Sequence, residues 1–465
     1  MKKKLGFYSI VLLTINSIIG TGIFLSPGAV VIQSGNKALL VYLFAAVFAA
    51  VLAITFAAAA KYVSKGGAAY AYAKAAFGDN WGFYVGITRY IAASIAWGVM
   101  GTGVVKTVLS ILKIDNTNLM TITIGFICLM VVLLVINLMG TRVFEWINNL
   151  STLGKLGALV VTIVVGIAIV IFGHVNEFDS INNLTDAAGN AIGKNMDMST
   201  WVMAVIAAFY AFTGFESVAS GSEDMEEPEK NLPRAIPLAI AIVAAIYIGI
   251  LGIAMMINPA AIVDSTQVVS LAGVFDNILI QNIIVLGALI SMFGINVAAS
   301  FHTPRILEAM ALQKQVPLAL AKRTDKGFPL IAFFTTIGIA ILLPMAFRFD
   351  MTSIIVLSSI SRFIQFVIVP VAVIVFYYGK ERGEALENVK KNMIVDVVIP
   401  SIALVLTLVL LYKFDWVAQF TFALDDGKVV PNIFAIIAMI IGYIILPLGF
   451  MVWKKATTDK INREK

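Results

Sequence analysis

The stretch that decides the fold reads Ser17-Ile18-Ile19-Gly20-Thr21-Gly22-Ile23-Phe24 and lies inside an apolar run at residues 8–33. A comparable stretch inside a second apolar run, at 199–221, reads Phe209-Tyr210-Ala211-Phe212-Thr213-Gly214-Phe215-Glu216-Ser217. Glycine weakens a helix by about 1 kcal/mol relative to alanine, so a helix can unwind at both places. The paired stretches therefore predict two discontinuous helices, whereas a reading as plain packing glycines would need no break.

The composition of the whole chain indicates an integral membrane protein. Of the 465 residues, 60% are hydrophobic and only 13% are charged, whereas soluble domains average roughly 45–50% apolar and about 25% charged residues. This composition excludes a soluble enzyme, a nucleic-acid-binding protein and a disordered chain. One cysteine, Cys128, and two histidines are too few for a disulfide framework or a Cys- or His-built metal centre. We expect no cofactor, no metal and no nucleic-acid partner.

Apolar runs long enough to cross a bilayer, which takes roughly 20 residues, recur along the whole chain. Twelve can be counted, at 8–33, 38–61, 82–111, 120–140, 150–173, 199–221, 235–257, 279–308, 329–347, 353–378, 394–412 and 432–453. The first run lacks a cleavage site, so we expect it to be retained as a helix. The longest linker, 174–198, is too short for a separate soluble domain. The sequence predicts an all-α integral membrane protein with twelve transmembrane helices.

The distribution of positive charge predicts the orientation. Of the 33 Lys and Arg residues, 22 fall on the side that holds both termini and six on the opposite side. Cytoplasmic loops are enriched in Lys and Arg, so both termini are expected in the cytoplasm of a multi-pass plasma (inner) membrane protein. The other five lie within or at the ends of apolar runs: Arg89, Lys106, Lys155, Arg305 and Arg362.

The two interrupted runs are the first members of two sets of five, at 8–173 and 199–378. Because five is odd, the second set enters the membrane from the opposite side, which predicts an inverted repeat. The last two runs, at 394–453, lie outside the repeats. Paired glycine-interrupted segments at corresponding positions of two repeats are the best sequence pointer to a transporter binding site.

An unwound helix exposes backbone groups that a ligand can satisfy. The N–H groups that would attract an anion belong to Gly20, Thr21 and Gly22. The carbonyl groups that would attract a cation belong to Ile18, Tyr210 and Thr213, next to Gly214. One ligand that satisfies both sets is an α-amino acid, which carries a carboxylate beside an ammonium. The sequence therefore predicts a small-molecule amino acid as the substrate.

Four motifs, in order, resemble the amino acid–polyamine–organocation (APC) superfamily. They are Gly20-Thr21-Gly22-Ile23-Phe24, Lys65-Gly66-Gly67-Ala68-Ala69-Tyr70-Ala71-Tyr72 followed by Phe77-Gly78, Gly214-Phe215-Glu216, and the loop Glu226–Ile236. The resemblance covers about residues 8–380. It implies a LeuT-type 5+5 inverted-repeat fold with discontinuous helices 1 and 6, and secondary transport of amino acids or related amines. It also implies that the backbone groups named above hold the substrate and that Tyr210 closes over it.

Lys155, near the start of the fifth run, matches a lysine that the resemblance assigns to sodium-independent permeases. In sodium-coupled members of this fold, Na⁺ occupies a space between helices 1 and 8, and the lysine ammonium takes that space instead. A buried lysine loses its proton readily, so Lys155 is a candidate for proton coupling. Two other interpretations stay open: Lys155 extends to the cytoplasmic headgroups, or it stays charged and permits exchange without proton coupling.

Further polar residues are candidates for a gate or a pocket wall. Glu216 is an intramembrane carboxylate beside the second interruption, and the resemblance favours a gating role for it together with Tyr210. Arg305 and Glu308 are three residues apart on one helix face and are expected to form an ion pair. The weaker candidates for the pocket wall are Ser94, Trp97, Ser300 and Ser358.

These observations predict a secondary active transporter of amino acids that works by alternating access, by proton-coupled symport or by amino acid exchange, without sodium. The alternatives are a nutrient-sensing transceptor of the same fold, an amino acid or amine antiporter without proton coupling, and, least favoured, a membrane enzyme. The scarcity of acidic residues near the interruptions tilts the expected substrate towards neutral amino acids. Besides the lipid bilayer, the partner is at most a second copy, so the protein is a monomer or a homodimer with a face at 394–453.

Overall fold

The structure is a computed structural model and consists almost entirely of helices. It describes residues 6–20, 22–63, 68–139, 141–186, 189–193, 196–218, 225–263, 269–312, 314–325, 327–382, 386, 389–423 and 428–463. The helices of the first half are α1 Phe7–Ile18, α2 Gly22–Ser34, α3 Ala38–Tyr62, α4 Ala69–Phe77, α5 Asp79–Ile111, α6 Leu119–Met139 and α7 Thr141–Phe172. Short 3₁₀ helices follow α2 and α7, at Gly35–Lys37 and Phe178–Asn183.

The second half continues in the same way. Its helices are α8 Met198–Tyr210, α9 Phe215–Val218, α10 Pro228–Ile257, α11 Pro259–Val263, α12 Ser270–Gly273, α13 Ile278–Leu312, α14 Leu330–Ala346, α15 Met351–Ile360, α16 Phe363–Tyr377, α17 Ile399–Lys413, α18 Trp416–Gln419, α19 Ile433–Ile440 and α20 Leu446–Arg463. A 3₁₀ helix lies at Leu318–Ala321, and π-helical turns lie at Ile394–Val398 and Ile441–Ile445. Strands β1 Thr421–Ala423 and β2 Val429–Pro431 pair antiparallel, with Phe422 opposite Val430.

Within the described residues, eight helical segments are long and apolar enough to cross a membrane. Four further apolar helices are shorter: Phe7–Ile18, Gly157–Phe172, Met198–Tyr210 and Leu330–Ala346. Two of the short ones, α1 and α8, end at the predicted interruptions, so each is only part of a predicted run. The chain is therefore a helical membrane protein with multiple apolar helices, and the count of twelve spans stays a prediction.

Two boundaries differ from the sequence prediction. Helix α7 begins at Thr141, well before the predicted start at residue 150. The run predicted as a smooth helix at 353–378 is interrupted between α15 and α16. Arg362 Nε and the Ser361 hydroxyl both donate to the Ser358 carbonyl, at 3.2 and 2.9 Å. Side chains that bond to nearby carbonyls compete with the helical hydrogen bonds, and no glycine is needed to produce this break.

The helices pack in two groups, with α7 touching both. In one group α10 packs along α3 and against α1, and α2 packs against α8; in the other, α13 and α14 pack against α5. Helix α7 packs extensively against α13 and also contacts α10. Small residues let helix backbones approach closely in a membrane, and α3 buries a row of them, at 57–60. The site described next lies between these groups.

A hydrogen bond at the N-terminus of α8 caps this helix just before the apolar run at 199–221. The Asp197 carboxylate accepts a hydrogen bond of 2.7 Å from the Thr200 backbone N–H, as an N-cap. Hydrogen bonds from Thr200 lower the pKa of Asp197 below its ordinary value because they stabilise the charged form. The carboxylate therefore stays ionised at the positive end of the helix dipole.

Candidate functional site

A cavity of about 750 Å³ lies between the interrupted helices and the second helix group. Its described walls come from the interruptions on one side and from α5, α7, α13 and α16 on the others. The lining includes Ile18, Gly20, Gly22, Tyr210, Thr213, Gly214, Glu216 and Lys155. The structure thus brings both interruptions, Lys155 and Glu216 to one cavity. Thr21 lies outside the described residues.

The first interruption separates α1 from α2. Helix α1 ends at Ile18, and the last helical hydrogen bond runs from the Ile19 N–H to the Ile15 carbonyl at 2.8 Å. Helix α2 begins again at Gly22. The Ile18 carbonyl accepts a hydrogen bond from the Tyr247 hydroxyl at 3.5 Å, a long contact that leaves capacity for a second donor.

The second interruption separates α8 from α9. Its Tyr210 carbonyl, predicted to be open to a ligand, is hydrogen-bonded within the interruption. The Tyr210 carbonyl accepts hydrogen bonds from Thr213, from its N–H at 3.2 Å and from its hydroxyl at 2.8 Å. A carbonyl oxygen has two lone pairs, so the Tyr210 carbonyl is already satisfied. Gly214 follows with φ +119°, a conformation that side-chain-bearing residues rarely adopt.

The two interruptions interlock, and this contact explains their glycines. A Cβ on Gly22 would overlap with the Cα of Ala211, and a Cβ on Gly214 would overlap with the carbonyl oxygen of Ser17. Each interruption therefore presses a glycine against the backbone of the other. Because only glycine lacks a Cβ, only glycine permits this approach.

Lys155 holds the end of α1. Its ammonium donates to the carbonyls of Asn16, at 3.0 Å, and Ile19, at 2.8 Å, and the residue is 4% exposed. These are the carbonyls that α1 leaves without helical partners, because the helix stops before an N–H four residues later can reach them. A side chain of the protein itself thus supplies a cation to the end of α1, at carbonyls that flank that of Ile18.

Close packing of α7 on α13 sets the position of Lys155. A Cβ on Gly294 would overlap with the Ser151 side chain, and a Cβ on Gly287 would overlap with that of Ala158. These contacts lie one turn before and one turn after Lys155 on α7. From the same face of α13, the Ser291 hydroxyl donates to the Gly20 carbonyl at 3.3 Å. Helices α7 and α13 thus present two donors to the first interruption.

Glu216 forms a buried ion pair that joins the second interruption to the break between α15 and α16. Arg362 Nη1 lies 2.5 Å from Glu216 Oε1, and the two side chains are 11% and 6% exposed. The other carboxylate oxygen accepts a hydrogen bond of 2.8 Å from the Gly214 N–H. Arg89 lies near enough to Glu216 and Arg362 to interact with both electrostatically.

The weaker pocket candidates lie elsewhere. The described wall of the cavity does not include Ser94, Trp97, Ser300 or Ser358. Ser94 and Ser300 are satisfied by neighbours on the helices, and Trp97 is buried with its ring 5.8 Å from that of Phe333. Ser358 instead contributes its carbonyl to the break before α16. Alternating polarity on a helix face cannot distinguish a cavity from a helix–helix contact.

Arg89, Arg362 and Gln365 are among the cavity residues that have no role predicted from the sequence. Arg89 and Arg362 were visible as intramembrane charges, which by themselves mark functional candidates. The predicted Arg305–Glu308 ion pair is wrong. Glu308 pairs with Arg323, and Arg305 stacks on the Phe301 ring, 3.4 Å from its centroid, and donates to the Phe301 carbonyl at 2.6 Å. The cation–π contact keeps Arg305 on its own helix.

The chain is similar to known proteins over nearly its whole length. A family model described as amino acid permease matches residues 5–446. An uncharacterized transporter of Mycobacterium tuberculosis is 42% identical over 458 residues, which cover 96% of this chain and 93% of that protein. The serine/threonine exchanger of Bacillus subtilis is 28% identical over 83% of this chain and 85% of its own length. The branched-chain amino acid permease of the same organism is 26% identical over 90% and 89%.

The family match and the relative at 42% identity each extend over nearly the whole chain, including both interruptions and the helices that wall the cavity. The four motifs found in the sequence lie inside the matched region. The chain therefore belongs to the amino acid permease family, within the APC superfamily.

Proposed function

We propose that this protein is a secondary active transporter that carries amino acids across the plasma membrane by alternating access. The observation that carries the proposal is the pair of interlocked interruptions facing one cavity. The proposed architecture is the LeuT-type fold, with inverted repeats at 8–173 and 199–378 and two further helices at 394–453. The names of the relatives, a serine/threonine exchanger and a branched-chain amino acid permease, support amino acids as the cargo.

The proposed substrate site uses backbone groups of both interruptions. The substrate carboxylate would bind the N–H groups of Gly20, Thr21 and Gly22, at the start of α2, where the helix dipole favours an anion. The ammonium would bind the carbonyls of Ile18 and Thr213. The Tyr210 carbonyl, already satisfied by Thr213, would join only if the Thr213 hydroxyl turns away. The Tyr210 ring then covers the substrate, and Gly214 gives the site room.

We further propose that transport is independent of sodium. The Lys155 ammonium already bridges α7 to the carbonyls at the end of α1, the contact that a bound cation would otherwise make. A fixed ammonium and a sodium ion in the same space repel each other, so a bound sodium ion is disfavoured. Loss of the Lys155 proton would release the end of α1, which couples a proton to movement of α1. If Lys155 keeps its proton, the same geometry serves amino acid exchange.

The Glu216–Arg362 pair is the proposed gate. It connects α9 to the start of α16 and ends at the Gly214 N–H, so a change in the ion pair reaches the second interruption directly. A buried ion pair is costly to break by removing one partner. The pair would therefore hold one conformation until substrate binding rearranges the interruption.

The proposed orientation places both termini in the cytoplasm, from the distribution of Lys and Arg in the loops. In that orientation the cavity extends towards the cytoplasmic side, because its described wall continues to Tyr70 on α4 and to Met310 near the end of α13. The structure would then correspond to an inward-facing state. Large apolar side chains exposed on α6, α17 and α19 would face lipid.

Uptake into proteoliposomes tests the proposal. Purified protein is reconstituted, and each common amino acid is tested as a labelled substrate against an imposed pH gradient or against internal unlabelled amino acid. We expect saturable uptake of at least one α-amino acid, with equal rates in sodium and choline buffers. Stimulation by the pH gradient indicates symport, and stimulation by internal substrate indicates exchange. Binding of an amino acid without uptake under either condition would overturn transport in favour of the sensor function.

A further inference from the structure

The charged residues of the cavity wall are mostly cations. Among the described lining residues, Glu216 is the one carboxylate, and His302 is neutral at pH 7 in its ordinary state. The cationic lining residues are Arg89, Lys155, Arg305 and Arg362. By formal charge, the described wall therefore holds an excess of positive charge even after Glu216 is counted against Arg362. Hydrogen bonds to neutral carbonyls, such as those of Lys155, leave this balance unchanged.

Excess charge of one sign is unfavourable in a cavity enclosed by apolar helices. The low dielectric strengthens repulsion among like charges and attraction to an opposite one. A neutral zwitterion adds no net charge, and a cationic amino acid or polyamine adds to the repulsion. An amino acid with a second carboxylate reduces it. The balance of charge thus discriminates among amino acids that the backbone groups of the interruptions cannot distinguish.

Arg89 is a lining cation that can meet such a second carboxylate beside the Glu216–Arg362 pair. It lies on the cavity face of α5, where the neighbouring lining residues are Gly86, Ala92, Ala93 and Ala96. The alanines add little bulk to this part of the wall, and the Tyr70 ring and the Met310 side chain pack against Gly86. Gln365 also lines the cavity, is 4% exposed, and its side-chain oxygen has no hydrogen-bond partner among the described residues. An amide can turn either end towards a ligand, so Gln365 can also donate to a carboxylate.

We propose that the cargo is an acidic amino acid, with net negative charge, and that Arg89 is the residue that selects it. The proposal rests on the proposed transport function and names its substrate class. It replaces the tilt towards neutral substrates that the sequence alone suggests. Guanidinium groups bind carboxylates through two parallel hydrogen bonds, which adds geometric selectivity to the charge.

Competition between isosteric amino acids tests the substrate class. In the proteoliposomes, uptake of labelled substrate is measured with unlabelled glutamate against glutamine, aspartate against asparagine, and lysine. These pairs differ by one charge at almost constant size. We expect glutamate or aspartate to compete at a concentration roughly tenfold or more below that of its amide, and lysine to compete worst. Equal competition by the amide, or stronger competition by lysine, would overturn the proposal.

Two variants of Arg89 test the assigned residue. For Arg89→Gln we expect the preference for glutamate over glutamine to fall about tenfold, and for Arg89→Lys we expect it to be largely restored because the charge returns. The ratio is independent of how much protein folds. Lys106→Gln is the matched control, since it removes a positive charge from the same helix at a residue that does not line the described cavity. An unchanged ratio in Arg89→Gln would show that another residue selects the cargo.

The outcomes separate this inference from the proposed function. Saturable uptake of neutral amino acids without competition from glutamate or aspartate would leave transport intact and reject the acidic cargo. Absence of uptake for every amino acid, acidic ones included, would reject the transport function itself. Monodisperse elution and ligand-dependent thermal stability of the purified protein establish that the material tested is folded.

Discussion

At the scale of single residues, the site depends on two glycines, because glycine has no Cβ atom. Gly214 sits with positive φ against the carbonyl oxygen of Ser17, and Gly22 sits against the backbone of Ala211. Both contacts are backbone on backbone, so neither partner can move aside as a flexible side chain would. The same two positions therefore define where the chain is interrupted and how closely the interruptions approach.

Gly214→Ala should abolish amino acid uptake and reduce the yield of folded protein, because the new Cβ meets the Ser17 carbonyl and the backbone conformation disfavours any Cβ. The control is Gly249→Ala on α10, where a Cβ meets nothing within 4 Å. There the substitution should be neutral or should stabilise the helix by up to about 1 kcal/mol. Uptake and thermal stability in detergent check both. Normal uptake by Gly214→Ala would show that the interruptions are not in contact during transport.

Lys155→Ala should lower the uptake rate at least about tenfold and flatten its pH profile, because it leaves the carbonyls at the end of α1 without a donor. Lys106→Ala removes a lysine that does not line the described cavity and should leave both the rate and the profile intact. Initial rates between pH 5 and 8 make the measurement. If Lys155→Ala transports normally with an unchanged pH profile, proton coupling through Lys155 is wrong.

At the scale of helices, a buried charge cluster joins α3 to the π-helical turn before α17. The Asp396 carboxylate is fully buried and accepts hydrogen bonds from the Lys61 ammonium, at 2.6 Å, and from the Tyr62 hydroxyl, at 2.9 Å. It also accepts one from the Asn392 N–H, at 2.8 Å. The turn at Ile394–Val398 thereby places a carboxylate over the end of α3.

Asp396→Asn should destabilise the protein by about 3 kcal/mol, because removing one partner of a buried ion pair leaves the other charge uncompensated. The control is Asp79→Asn, which alters an ion pair with Lys74 whose side chains are 64% and 45% exposed. That change should cost less than about 1 kcal/mol. Thermal unfolding in detergent compares the two. Equal losses of stability would show that the cluster at Asp396 does not hold α17 to α3.

At the scale of the whole molecule, the extent of the cavity and the distribution of Lys and Arg together predict which side of the membrane the cavity faces. The cavity wall continues to Met310, near the end of α13, which the Lys and Arg distribution assigns to the cytoplasmic side. The connection between α5 and α6 contains the exposed residue Lys113 and is assigned to the opposite side. The two faces of the membrane can therefore be distinguished by labelling.

In a Cys128→Ser background, Met310→Cys should react with a membrane-impermeant maleimide from the cytoplasmic side only, and added substrate should slow the reaction. Lys113→Cys should react from the external side only. Right-side-out and inverted vesicles provide the two surfaces. Labelling of Met310→Cys from outside would reverse the orientation and with it the inward-facing interpretation.

Local sequence was enough to predict the class of protein and the positions of the two glycine-containing interruptions. The excess of apolar residues requires a membrane, and glycines at 20, 22 and 214 weaken helices wherever they occur. The interruption at Ser361–Arg362 has no such local signal, because polar side chains that bind a nearby carbonyl produce it. The sequence could not show which residues line the cavity either. Ser94 and Ser358 are as polar as the residues that line it, and they differ only in what packs against them.

The sequence by itself determined a membrane-embedded helical chain with two matched weak points, since composition and helix propensity are properties of neighbouring residues. Only the tertiary structure decided which groups meet. Lys155 reaches carbonyls 139 and 136 residues away along the chain, and Arg362 pairs with a carboxylate 146 residues away. Such pairs depend on how helices cross, which no local pattern encodes. The positive balance of the cavity follows from those crossings, and so does the preference for acidic cargo that we propose.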